Sequence, residues 1–170
     1  ALVALNKKGF EEAGKGIAMQ VAAMSPIALD ENAVAQEVKD TETKNAIEKA
    51  KQNQISKAVE NALKKAGINP AHVDSEDHIE SNTAKGWITA EDAAKAREIK
   101  TTVAQEAEAN LKPQMIENIA KGMVAKFYKE NCLLDQAYID DNKVSVAQYL
   151  KSIDKDLTVS DFKRFTLRAE

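Results

Sequence analysis

The chain holds 170 residues, 44% hydrophobic, 5% aromatic and 30% charged, which suits one domain with a modest core and a solvated helical appendage. A net charge of −3 argues against nucleic acid as the main partner, because phosphate binding needs a cationic surface. Its single cysteine, Cys132, excludes an intrachain disulfide and fits a cytosolic home, and no apolar run or signal-peptide order speaks for a membrane.

The chain opens ALVALNKKGF, without Met and already strand-like, as an excised fragment would. Leu2, Val3 and Leu5 predict a short strand that stops in the turn Asn6-Lys7-Lys8-Gly9. From Phe10 to Met24, helical spacing sets Phe10, Ala13, Ile17, Val21 and Met24 in a stripe that packs on that strand. Gly14 and Gly16 each weaken this helix by roughly 1 kcal/mol, which implies close packing in return. Ser25-Pro26 ends it.

Asp30 is the expected N-cap of the next helix. Residues 31–66 contain neither Pro nor Gly, and their apolar positions are too sparse for a globular core. Gly67, Asn69 and Pro70 stop the run, and the polar stretch from Asp74 to Lys85 is expected to be a solvated tip. Thr89-Ala90-Glu91-Asp92 is a capping-box pattern that starts a second thinly apolar helix, ending near Asn110. Two opposed helices with an Ala-rich seam predict an antiparallel, coiled-coil hairpin projecting as a slim arm.

Pro113 suits a first helical turn, and Met115, Ile116, Ile119, Met123, Val124 and Phe127 give the next helix a strong apolar face. Cys132, Leu133, Leu134, Tyr138 and Ile139 are expected to be buried or strand-like, with a turn at Asp140-Asp141-Asn142. Ser145 caps a short helix carrying Val146, Tyr149 and Leu150, and Phe162, Arg164, Phe165 and Leu167 fit a terminal strand. The fold class is α+β: a small antiparallel sheet packed with helices, plus the hairpin. Residues 1–30 and 112–170 make the core subdomain, and 31–111 the inserted hairpin with its tip near 67–88.

Little in the sequence points to catalysis or to a cofactor. His72 and His78 lie six apart, not at the helical metal spacing, with no cysteine cluster nearby. Asp74, Glu76 and Asp77 lack the sixth-position Gly of a calcium loop, and Lys85 stands where its closing Glu belongs. Gly14-Lys15-Gly16 is no phosphate loop, Cys132 has no neighbouring base, and no Ser, His and Asp set forms a nucleophile pattern. Trp87 either anchors a partner or staples the hairpin end.

Five segments, in order, resemble elongation factor Ts, the guanine-nucleotide exchange factor for elongation factor Tu. IAMQVAAMSP at Ile17–Pro26 is similar to that family's AMHVAAxxP helix, with Gln20 in place of His. Lys112-Pro113, Gly122, Lys126 and Phe127 follow its KP…EGRMxKF pattern, with Lys121 for Glu and Met123 for Arg. Leu133–Ile139 is similar to LLEQPFV, Ser145–Leu150 to TVGQLL, and Phe162–Phe165 to the terminal FxRF strand. Between about Asn45 and Lys95 the chain is longer than typical members, as if the family's coiled-coil hairpin were extended by a Trp-bearing tip.

The resemblance implies the C-terminal half of the core with its coiled coil, the half that docks on the third domain of elongation factor Tu. No TDFV motif occurs in this sequence, and in the family its Asp and Phe wedge into the nucleotide domain and disturb the magnesium site. The family's N-terminal ubiquitin-associated-like domain has no counterpart here either. The chain alone is therefore expected to bind elongation factor Tu weakly without accelerating GDP release, and to involve no nucleic acid, membrane or small-molecule substrate. Contact residues are expected at the end of the first helix, Met19, Gln20, Ala23, Met24 and Ser25, and around Gln136, although most would serve equally as core and core is the favoured role. The alternative is a helical-hairpin interaction module that recruits an unrelated partner through Trp87.

Overall fold

A computed structural model describes residues 1–167. They form two compact units: residues 1–43 with 122–167, and residues 44–121. Each encloses an apolar core of its own.

In the first unit the two ends of the sequence meet. Strand β1 (Leu2–Leu5) pairs antiparallel with β4 (Val159–Lys163), Leu2 opposite Lys163 and Val3 opposite Phe162. Asn6 closes this ribbon: its backbone N–H donates to Thr158 O at 3.1 Å, and its Oδ1 accepts from Thr158 N at 2.8 Å. Lys7 adds an ion pair to Asp154 at 2.7 Å, whose hydrogen bond holds the Asp154 carboxyl below its usual range. The terminal strand thus lies earlier than its aromatic residues suggest. Phe162 packs on the core, whereas Phe165 and Leu167 lie past the strand and are exposed.

Helix α1 (Glu11–Met24) follows β1 and buries Ala13, Gly16, Ile17, Gln20 and Val21, one stripe at i, i+3, i+4 spacing. Met24, expected on that stripe, is instead exposed, and Gln20 takes the buried position. The helix ends at Ser25 in a left-handed conformation, φ 49°, its N–H donating to Val21 O. Against the stripe pack Leu133, Tyr138, Leu157 and two residues of α6 (Val146–Ile153), Val146 and Leu150. Ser145 caps α6 as its sequence predicts, and the cap is a reciprocal box: its hydroxyl accepts from Gln148 N while Gln148 Oε1 accepts from Ser145 N.

A second two-stranded antiparallel sheet, absent from the sequence reading, joins β2 (Ala137–Tyr138) to β3 (Asp141–Ser145). The turn between them is Ile139-Asp140, one residue earlier than predicted, and Asp141 and Asn142 already belong to β3; a two-residue strand shows no alternation to read. Helix α5 (Pro113–Asn131) ends where the segment after α1 passes it. There Ile27 N donates to Asn131 O, Leu133 N to Ala28 O and Leu134 N to Leu29 O, at 2.8, 2.8 and 3.0 Å. Cys132 is fully buried between Ala28, Val34 and Tyr128. Burial pushes its thiol up to about 11. At pH 8 its reaction with an aromatic disulfide reagent should run about 100-fold slower in the folded chain than in denaturant, since only the thiolate attacks; equal rates would contradict this burial.

Asp30 caps a short 3₁₀ turn, Glu31–Ala33, by accepting from Ala33 N, and the long helix α2 (Gln36–Lys65) begins only afterwards. Its start is later than predicted because residues Glu31 to Ala35 are spent on placing Val34 in the Cys132 pocket. In the second unit, α2 ends in a Schellman motif: Gly67 adopts φ 77°, Ile68 N donates to Leu63 O and Gly67 N to Lys64 O. The Asp74–Lys85 stretch is not a bare solvated tip. It contains α3 (Glu76–Ala84), capped by Ser75, whose Ile79 is buried with Leu63, Ile68, Val73 and Ile88. Helix α4 (Ala90–Ala109) opens with the capping box of Thr89 and Asp92. Ile47, Lys51 and Ile55 of α2 flank one groove with Glu108 and Leu111, whereas Leu63 shares a core with Ala93 and Ala96. The two helices therefore run antiparallel. Their buried positions are largely alanines, Ala46 and Ala50 on α2 and Ala93 and Ala96 on α4.

Candidate protein-docking site

Four of the residues expected to contact a partner sit at the surface around the end of α1. Met19 and Met24 are each 48% exposed, and Ala23 and Ser25 are exposed beside them. Met19 and Ala23, one turn apart, share a helix face. Two further large apolar residues extend this surface: Ile27, just past Pro26, which sequence reasoning did not single out, and Ile139, which was expected to be buried or strand-like but lies in the turn just past β2 and is exposed. The missed signal was Ile27-Ala28: an apolar residue directly after a helix-ending proline either turns inward or stays out, and here Ala28 is the one that turns in. A shallow groove of about 640 Å³ adjoins Met24, lined by Ala125, Lys126, Lys129, Gln136 and Ala137.

Gln20 and Gln136 are placed differently. They are 0% and 1% exposed, and they face each other beneath this surface. Gln20 Nε2 donates to Gln136 Oε1 at 3.2 Å and to Ala137 O at 3.0 Å, while Gln20 Oε1 accepts from Ile139 N at 2.8 Å. Gln136 Nε2 donates to Glu130 O at 2.9 Å and to Met24 O at 3.5 Å. Every amide hydrogen of the pair therefore has an acceptor, as burial requires. Gln20 is sealed off and Gln136 shows only a trace of itself at the floor of the groove, so the exposed members of the expected set are the ones placed to touch another molecule.

Trp87 belongs to the second unit and is 62% exposed. Its backbone N–H donates to Asn82 O at 2.9 Å, and the buried Asn82 side chain donates to His72 O at 2.9 Å. The indole lies 5.1 Å from Lys85 Nζ and 5.9 Å from the His72 ring. His78 pairs with Asp74, not with His72. Among the described residues no group of three or more His, Cys, Asp or Glu side chains is placed to hold a metal ion, and no helix is long and apolar enough to cross a membrane.

Comparison with known proteins gives this surface a context. The family model for elongation factor Ts matches the chain over residues 1–69 and 54–169. An elongation factor Ts of Bacteroides fragilis is 63% identical over 99% of this chain and 51% of its own length. That of Phocaeicola vulgatus is 61% identical over the same shares, and that of Flavobacterium psychrophilum 35% identical over 94% of this chain and 38% of its own. The chain thus spans about half the length of the curated relatives it matches most strongly. No solved structure matches it. With the family model covering nearly all of the sequence in two overlapping stretches, the chain belongs to the elongation factor Ts family.

Proposed function

We propose that this chain is a part of a translation elongation factor Ts, acting in the cytosol on elongation factor Tu, and that it grasps its partner through the exposed apolar surface at the end of α1. One observation carries this reading. Met19, Ala23, Met24 and Ser25 belong to the AMQVAAMSP segment that ties the chain to its family, and they stand exposed on a rigidly held base. Large apolar side chains grouped around a groove at a surface are what a protein partner covers.

Exchange demands more than docking. By linkage, a factor that expels GDP must bind the nucleotide-free partner more tightly than the GDP-bound one. That preference requires contact with the nucleotide domain, and the sequence holds no TDFV segment to make it. The chain alone is therefore expected to bind elongation factor Tu without releasing GDP appreciably faster. Stopped-flow release of a fluorescent GDP analogue, with and without excess chain, checks this: an unchanged rate is expected, and a large acceleration would refute it.

A second reading is favoured by the Trp87 surface. Exposed tryptophans held by a buried scaffold are common binding anchors, and Asn82 gives Trp87 such a scaffold. On that reading the helical unit recruits an unrelated protein.

A further inference from the structure

We infer that the buried Gln20–Gln136 pair is a positioning device that sets the geometry of the docking surface, an inference that rests on the docking role proposed above. The pair is unusual in what it joins. Met24 O and Glu130 O belong to the last turns of α1 and α5, where backbone carbonyls have no partner within the helix. The single carboxamide of Gln136 closes both helix ends. Through its Oε1 it passes the connection to Gln20, which in turn holds Ala137 O and Ile139 N. Three segments that carry exposed apolar residues or line the adjoining groove are thus fixed to one another by two side chains: the end of α1, the end of α5 and the exit of β2.

The neighbouring backbone agrees. Ser25, with φ 49°, adopts a left-handed conformation that a serine holds only where its surroundings impose it, and it directly follows the carbonyl that Gln136 engages. A pair of leucines would fill the same volume, yet would leave Met24 O, Glu130 O, Ala137 O and Ile139 N without these partners. Core filling alone therefore does not account for two glutamines here. A surface already in its binding shape avoids the ordering cost of association, so the pair acts on affinity through the exposed residues without touching the partner.

The test uses the full chain with Gln20→Leu, Gln136→Leu and their double variant, and with Val159→Ala in β4 as a destabilised control whose side chain lies in the core. Affinity for purified elongation factor Tu is measured at a temperature where circular dichroism shows every variant folded. Either Leu variant is expected to bind about tenfold more weakly, the double variant no worse than the weaker single one, and Val159→Ala as the wild type does. Amide exchange gives a readout independent of the partner. In Gln136→Leu the Ser25 and Ile139 amides, whose own acceptors are untouched, should exchange severalfold faster. If a Leu variant does not fold, Gln20→Met takes its place. Unchanged affinity in the Leu variants, with or without faster exchange, overturns the inference. Should the wild type not bind elongation factor Tu at all, the docking reading fails, and amide exchange alone then decides: selective loosening supports the positioning role, and none overturns it.

Discussion

Gly16→Ala is expected to destabilise the chain by about 2 kcal/mol, the order of an overpacked core, although alanine in a helix interior normally gains about 1 kcal/mol over glycine. A Cβ at Gly16 would lie 2.6 Å from the Tyr138 hydroxyl oxygen. The ring has little room to retreat: it is buried, stacked on Tyr149 with centroids 4.0 Å apart, and its hydroxyl donates to Asp140 Oδ2 at 3.2 Å. Removing that oxygen should remove the conflict, since the next ring atom is 3.7 Å away, an ordinary contact. Tyr138→Phe combined with Gly16→Ala should therefore be at least as stable as Tyr138→Phe alone. Gly14 is the internal contrast. A Cβ there meets only the flexible end of Leu5 at 3.4 Å, so Gly14→Ala should be neutral or stabilising. Urea denaturation of the four variants measures the coupling, and a stabilising Gly16→Ala in the wild-type background would contradict this account of the α1–β2 contact.

Ile79→Ala should have the larger local effect, a loss of about 3 kcal/mol from the second unit. Ile79 is 1% exposed at the centre of a core with only seven buried members, so that unit has little reserve. The chain's single tryptophan reports on it directly, because Trp87 is held by Asn82 beside His72. The denaturation midpoint seen by Trp87 emission and by exchange of the Ile88 amide should fall. Cys132, buried in the first unit, should keep its protection from thiol reagents. Equal shifts in both probes would show that the two cores unfold as one.

The parts legible in the sequence were those with a local physical signature. The capping box at Thr89, the helix cap at Ser145, the Pro113 helix start, the Gly67 stop and the β1 strand each follow from a few adjacent residues. The parts that escaped depend on distant partners. Helix α3 carries one buried aliphatic residue, too little for periodicity, and is held by the core that Ile79 enters. Strand β3 is polar and gains its identity from pairing with β2. At the candidate site the segment was legible, but not which of its residues face outward. Met24, placed both on the core stripe and among the contact residues, lies outside, whereas Gln20 is buried because Gln136, more than a hundred residues away, completes its hydrogen bonds.

The central claim is that this chain holds elongation factor Tu through the apolar surface at the end of α1 and not through the second unit. Isothermal titration of elongation factor Tu with the wild type, with the Met19→Asp, Met24→Asp double variant and with Trp87→Ala tests it most directly. Setting two carboxylates into a desolvated contact should weaken binding by about 100-fold, while Trp87→Ala should bind as the wild type does. Binding that survives the paired aspartates but is lost with Trp87→Ala would contradict the account and move the contact to the helical unit.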